Sequence, residues 1–495
     1  MRSSLGAAVV GSGPNGLAAA VTLARAGIPV TVFEAMETLG GGARTLSHVA
    51  PGVVHDVCSA IHPMALATGF FREFELTRRV DFVTPEASYA HPLDGAAGAD
   101  AAIAYRDIER TASELGRDGA AYARLYRPLL DRLEGVLDVA LGGPVLRWPR
   151  DLFGAAAFGA RTLEQGTPLW GLRFSEQVAP ALIAGVAAHS IGRMPALTHA
   201  GVAFVLGALG HASGWPVPVG GSQAITDALA ADLLAHGGRI ELGRPITHLD
   251  ELSAFDVTLC DTSARGLVEI AGDALPAGYR KRLTRFRYGN AAAKLDLVLD
   301  GPIPWRDPRV AQAPTVHLGG TRDEIAAAEA EIARGRHADR PYVLLAQPSA
   351  FDAGRNPAGV HAVTSYTHVP SGSTADVTET ILAQLERFAP GVRDRVTAMR
   401  VTTAAELGRE NRNYVGGDFS AGQVSMRQLL ARPVLGNEPW RTPARGVYLC
   451  SSSTAPGPGV HGLAGWYAAK SALRHEYGLD APSLAPSLAL GGESS

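Results

Sequence analysis

Residues 7–27 read AAVVGSGPNGLAAAVTLARAG, and the interpretation of the whole chain turns on them. Ala7–Val10 is a short apolar run of the buried-strand kind. Gly16–Ala26 has the small-residue spacing of a helix, and Pro29–Phe33 supplies a second strand. Between strand and helix stand Gly11, Ser12, Gly13, Pro14, Asn15 and Gly16. Gly11 permits the tight turn, Gly13 lets the backbone approach a pyrophosphate, and Gly16 lets the helix close on the strand. The helix N-terminus then offers free N–H groups and the positive end of its dipole to phosphates. Glu34, with Ala35 beside it, closes the second strand where a carboxylate can accept bonds from a ribose. The spacing predicts a dinucleotide site over residues 11–35.

A second glycine run, Leu39-Gly40-Gly41-Gly42-Ala43-Arg44-Thr45, follows at once. Glycines beside an arginine suit continued backbone contact with a long, phosphate-bearing ligand. The far end of the chain repeats the arrangement of the first: GVYLCSSSTAPGPGVHGLAGWYAAK, residues 446–470, runs from an apolar segment through a Ser/Pro/Gly loop into a small-residue helix. In between, FDVTLCDT (255–262) reads as a buried strand and AKLDLVLDGPIPW (293–305) as an alternating strand with a proline-bounded end. Thr321-x-x-Glu324 has capping-box spacing and opens a surface helix, and Val377–Phe388 is another. Residues 71–214 read as mostly helical, broken at Pro128, Pro144, Pro149, Pro180 and Pro195.

These motifs together resemble the FAD enzymes that include amine oxidases and phytoene desaturases. Within them the chain is most similar to the phytoene-dehydrogenase-related oxidoreductases, on HDVCSAIHP (55–63), YVGGDFSAG (414–422) and the CSSST run (450–454). The resemblance implies an α/β architecture: a Rossmann-type FAD-binding domain of the GR2-like flavoprotein class, interleaved with an α+β substrate domain. The first would be discontinuous, over residues 1–70, 215–275 and 440–478, and the second would take 71–214 and 276–439. Residues 479–495, rich in Ser, Pro and Ala, would be a disordered tail.

The resemblance also implies site residues. Gly11, Ser12, Gly13, Asn15, Gly16, Glu34, Ala35, Gly41, Gly42 and Arg44 would hold the adenosine half of FAD. A strand near Ile246 would meet the adenine through its backbone, and Ser452, Val460 and Gly462 would hold the flavin half. Lys294, followed by Pro302 and Trp305, stands where related enzymes hold a water near flavin N5. A solvated ion pair with Asp296 is the plainer reading. His461, at the last helix entrance, is a candidate proton shuttle or a structural donor to a loop carbonyl. His55, Asp56 and His62 would approach the flavin's other face. Leu463 stands where amine oxidases carry an aromatic, which argues against amines as substrates.

Composition narrows the function classes. The 495 residues exceed what one core usually supports, so two associated domains are expected. A net charge of -3 gives no reason to expect nucleic acid. Only Lys281, Lys294 and Lys470 supply ammonium groups. Cys58, Cys260 and Cys450 form no CxxC pair, which fits a reducing, cytoplasmic compartment and excludes a dithiol redox centre. No second strand–GxGxx(G/A)–helix is present for a nicotinamide, and no metal set is expected. The apolar stretch 200–210 is shorter than the roughly 20 residues a bilayer span needs, leaving at most peripheral membrane contact. The resemblance implies as partners a small-molecule substrate, hydrophobic where the apolar segment 175–214 lines or covers a cavity rather than forming ordinary domain core, and oxygen or a quinone as electron acceptor. Two other readings stay open: a redox-neutral flavin-dependent isomerase and a non-catalytic flavin-binding assembly protein.

Overall fold

Four apolar residues buried on both faces make Ala7–Val10 (β1) a central strand, the environment that a parallel sheet imposes. The computed structural model describes residues 6–95, 99–144 and 147–485. The further strands of its two main sheets are Val30–Phe33 (β2), Ala87–Pro92 (β3), Ala101–Tyr105 (β4), Arg239–Glu241 (β5) and Val257–Cys260 (β6). They continue with Ala291–Leu299 (β7), Thr315–Leu318 (β8), Val343–Ala346 (β9), His361–Val369 (β10), Val396–Thr402 (β11) and Val447–Leu449 (β12).

The first sheet is parallel, with order β12-β6-β1-β2-β5. Ala7 lies between Val257 and Val30, and Thr258 pairs with Val447, so the first and last segments of the chain are separated by one strand. Helix α1, Pro14–Arg25, packs on this sheet beside the last helix, Leu463–Ala472. Their approach demands glycine: a Cβ on Gly465 would lie 1.8 Å from the Asn15 carbonyl oxygen. The mixed α/β, Rossmann-like fold expected from the motifs is therefore present.

The second sheet has order β11-β7-β10-β9-β8-β3-β4 and is antiparallel except where β8 meets β3. Two of its strands, β3 and the edge strand β4, fall inside the stretch read as mostly helical. Both are buried along their whole length: β4 is a continuous apolar run with no period to separate strand from helix, and β3 buries Ser88 and His91 along with its apolar residues, so no alternation marks it as a strand. Over this sheet and the cavity lie the helices α2 (Leu152–Gln165), α3 (Val178–Ala187) and α4 (Leu197–Ala212).

Three further expectations change. Ile246 is not on a strand: β5 ends at Glu241, Gly243 has φ +63°, and Pro245 has no N–H to donate to a ladder. Lys294 and Asp296 are not solvated, because β7 is an inner strand with every residue buried. The tail, as far as Ala485, lies against the body: Leu484 is buried with α1, and Arg25 Nη1 donates to the Ala485 carbonyl at 2.7 Å. Residues 486–495 lie outside the described residues.

Candidate functional site

At the carboxyl ends of β1 and β2 the chain builds a cradle from backbone. Gly11 has φ +101°, and its N–H donates to the Phe33 carbonyl at 2.8 Å. A Cβ on Gly16 would sit 2.2 Å from the Gly11 carbonyl oxygen, so strand, turn and helix close only with glycine there. Gly13 precedes α1 without a side-chain cap, and Pro14 holds the first helical position, which leaves the helix end open toward the cavity. Glu34 accepts from Ser12 N at 2.9 Å and Ser12 Oγ at 2.6 Å on one oxygen, and from Met36 N at 2.9 Å on the other. Of the four acceptor positions of a carboxylate, one is left for a ribose hydroxyl. Gly41 abuts Gly13, a Cβ on it reaching within 3.0 Å of the Gly13 Cα. Arg44 is fixed by its Nε–H bond to the Gly41 carbonyl at 2.8 Å.

A second acid lies under this cradle. Asp261, just past β6, accepts from Gly16 N at 2.9 Å, and a Cβ on Gly13 would come within 2.6 Å of its Oδ2. Burial pushes its carboxyl up to about 7, and neighbouring Glu34 adds to the shift. The signal for it was present in the sequence: it ends a strand predicted to be buried, and ligands gather at the carboxyl ends of parallel strands.

The cradle opens into a cavity of about 1430 Å³. That exceeds the ~300–1,000 Å³ of an ordinary single-ligand pocket, leaving room for an extended dinucleotide and a second molecule. Gly11, Ser12, Gly13, Asn15, Glu34, Ala35, Gly41, Gly42, Arg44, Ile246, Ser452 and Val460 all line it. Gly13 and Val460, from opposite ends of the sequence, thus face one space. Gly16 and Gly462 stand outside the lining. Gly462 has φ +66°, and a Cβ there would strike the Phe70 ring at 2.4 Å, so it sets the packing of the last helix. The loop before that helix is tied down by Ser451 Oγ–H to the Thr262 carbonyl (2.6 Å) and by the buried Arg432, whose Nε–H reaches the Ser452 carbonyl at 2.8 Å.

The other end of the cavity is a chamber walled by apolar side chains of α2 and α4, among them Phe158, Leu163, Val202 and Leu206, with Trp215 and Tyr366. His62 and His189 also face it. Of the apolar helices of 175–214, α4 lines the cavity and also packs in the core, whereas α3 is core alone. Nothing in the sequence singled out His189, a lone histidine in a greasy stretch, or Tyr366, one residue of an alternating strand.

Both candidate catalytic side chains lie behind the wall. Lys294 Nζ donates to the Val57 carbonyl at 2.6 Å and to Asp296 Oδ2 at 3.2 Å, holding the backbone next to Cys58, which lines the cavity. Burial opposes the Asp296 charge, but Lys294 and the His48 bond outweigh it and keep the carboxyl below its ordinary range. His461 is fully buried; its Nδ1 accepts from Leu463 N at 3.0 Å, so Nε2–H donates to the Gly457 carbonyl at 3.1 Å. Both nitrogens are used in shaping the helix entrance. His55 and Asp56 are likewise buried away from the cavity. Asp56 is ion-paired with the buried Arg355 and accepts from Ser222 N at 2.8 Å. Of that trio only His62 reaches the cavity.

Known proteins give the same outline. A family model for the NAD(P)-binding Rossmann-like domain matches residues 9–74. The chain is 24% identical to pyridine nucleotide-disulfide oxidoreductase domain-containing protein 2 of Rattus norvegicus, over 94% of this chain and 93% of that protein. It is also 24% identical to phytoene desaturase (lycopene-forming) of a Paracoccus species, over 93% and 95%. Among solved structures, cyclohexylamine oxidase from Brevibacterium oxydans superposes with a TM-score of 0.60 at 14% identity, covering 96% of this chain and all of that one. The CLA-producing fatty acid isomerase from P. acnes gives 0.55 at 15%, covering 96% and 99%. The chain is homologous to the first two proteins and has the fold of the amine oxidases, as its motifs led us to expect.

Proposed function

We propose that the chain is an FAD-dependent oxidoreductase that takes hydride from a carbon centre of an apolar organic substrate and passes the electrons to oxygen or a quinone. One observation carries this reading: a single cavity is lined by Gly11, Gly13, Gly41 and the start of α1 on one side and by apolar side chains of α2 and α4 on another. In it, residues 1–70, 215–275 and 440–478 form the cofactor domain, and 71–214 and 276–439 the substrate domain. Gly11–Asn15 and the open end of α1 would hold the pyrophosphate, Glu34 a ribose, and Ser452 and Val460 the flavin end. FAD bound there would supply a two-electron acceptor. The chain's own contribution is to orient the substrate, exclude water with the α2 and α4 side chains, and hold the Asp56–Cys58 backbone rigid through Lys294. Trp148, Phe153 and Leu172 are exposed to solvent on and beside α2, whose Phe158 and Leu163 line the chamber. That continuity supports an apolar substrate entering there, with peripheral membrane contact.

The visible spectrum of the purified protein tests the cofactor. Anaerobic mixing with polyenes, alcohols and amines tests the substrate: bleaching by a polyene or long-chain alcohol is expected. A colourless protein that takes up no added FAD would overturn the reading. The fold shared with a fatty acid isomerase favours one alternative, a redox-neutral isomerase, which would act only after the flavin is reduced. Among the described residues no helix is long and apolar enough to cross a membrane.

A further inference from the structure

Behind the chamber wall lies a group of side chains that the proposed reaction does not use. His189, just after α3, lines the cavity, and its Nε2 is 2.9 Å from Nε2 of His317 on β8. His317 is wholly buried, packed among Tyr89, Trp215 and Tyr342, and its Nδ1 has no hydrogen-bond partner among the described residues. With Nε2 engaged, Nδ1 is the His189 nitrogen without a protein partner.

A bond between two Nε2 atoms needs one ring to donate and the other to accept. If His189 donated, His317 would carry its proton on Nδ1, an N–H buried in apolar surroundings with nothing to receive it. If His317 donates, its Nδ1 is a bare lone pair, the cheaper atom to leave unpaired. His91, the imidazole nearest behind, does not rescue the first arrangement. Its Nε2–H is committed to the Gly320 carbonyl at 2.6 Å, and its Nδ1 is itself without a partner, so no bond joins it to His317. The second arrangement therefore holds, and it places the His189 proton on Nδ1.

Charge does not disturb it. Burial holds His189 at about 3 and His91 at about 4, and keeps His317 well below its ordinary value. The other titrating group acting on His189 is His368; no carboxylate does. At neutral pH the ring is an uncharged donor. Five arginines line the cavity too, but Arg44 bonds the Gly41 carbonyl, Arg244 N–H the Glu34 carbonyl, Arg265 pairs with Glu269, and Arg409 and Arg412 precede Asn413, whose side chain bonds Ser263 N at 2.7 Å and the Asp261 carbonyl at 3.0 Å. They belong to the nucleotide end and leave the chamber end without a cation to favour a carboxylate.

We propose that His189 is the specificity residue of the chamber: a neutral Nδ1–H donor, fixed in its tautomer by His317, that binds an uncharged carbonyl or hydroxyl oxygen of an otherwise apolar substrate. This deepens the proposed function and rests on its reading of the chamber as the substrate site. The probes are dodecan-2-one, n-dodecane and laurate, with binding followed by tryptophan fluorescence of the purified protein as isolated with its cofactor. In His189→Phe the preference for ketone over alkane should fall about 3- to 10-fold, the weight of one hydrogen bond. His189→Gln, which keeps an N–H, should retain it. An unchanged preference in His189→Phe, laurate outcompeting the ketone, or failure of the ketone to bind would each overturn the proposal. Should the variants not fold, nitrogen-15 spectra of histidine-labelled wild type decide it: a protonated Nδ1 on His189 is expected, and a bare one overturns it. A colourless protein that still shows the change in preference sinks the flavin reading alone. A yellow protein without it sinks this one alone.

Discussion

The two ends of the cavity are built on opposite principles. The nucleotide end is made of backbone: Gly11, Gly13 and Gly41 stand where any Cβ would crowd a neighbour or occupy the cradle. The chamber end is made of large rings, with Trp215, Tyr366 and His189 at its wall and His317, Tyr89 and Tyr342 behind. Their buried ionisable groups also differ in sign. Asp261 at the first end has its affinity for protons raised, whereas the histidines around the second have theirs lowered. A site that binds a charged, invariant ligand gains from backbone donors, and one that selects an apolar ligand gains from shape.

Acid should expose this difference most strongly. His62, His91, His199, His211 and His461 are held at about 4 and His189 at about 3, against an ordinary 6.5. Each depressed histidine contributes stability that is present above about pH 6.5 and lost as pH falls toward 4, at about 1.4 kcal/mol per pH unit. Asp261 works the other way, its raised value costing stability as pH rises from about 4 to about 7, and burial raises Asp418 in the same sense, but these are two groups against six. Thermal melting followed from pH 7.5 to 4.5 should show a steep fall. A melting temperature that stays level through that range would break the contrast.

Lys294→Met should be next in size. It leaves the buried Asp296 carboxylate without its ammonium, at a cost of about 3–5 kcal/mol by denaturant unfolding, and Asp296→Asn in the same chain should recover most of it. Gly13→Val should weaken FAD binding about 100-fold or more, and because its Cβ would meet the buried Asp261 carboxylate at 2.6 Å the apoprotein should melt lower as well. The smallest effect concerns Asp261→Asn. If the cradle holds a pyrophosphate, ionised Asp261 repels it, so wild-type FAD affinity should drop about 3- to 10-fold from pH 6 to 8 and that of Asp261→Asn should not. Equal slopes would sharpen the comparison against an electrostatic role for this acid.

How much of this could be read beforehand differs between the ends for the same reason. Gly11, Gly13 and Gly16 act within one turn of chain, and the capping box at Thr321 and Glu324 likewise is local, with Thr321 N–H to Glu324 Oε2 at 2.9 Å. Short-range backbone demands leave a mark in short stretches of sequence. The chamber histidines come from positions 91, 189 and 317 on separate elements, and no spacing announces their meeting. Lys294 was visible as unusual because lysine is scarce here. Its role was not, since an alternating strand looks the same whether one of its faces meets water or, as here, a packed hairpin carrying His48 and Val57.

The contact between Gly465 and Asn15 sets a timetable for making the protein. A nascent chain leaving the ribosome exposes its first helix and the apolar strand Ala7–Val10 hundreds of residues before their last neighbours are synthesised. Until Val447–Ala472 emerges, one flank of that helix and one edge of the parallel sheet stay bare, and the loop carrying Val460 does not yet exist. Capture of any cofactor by this cavity would thereby be deferred to the end of translation, with an apolar edge open to aggregation in the meantime.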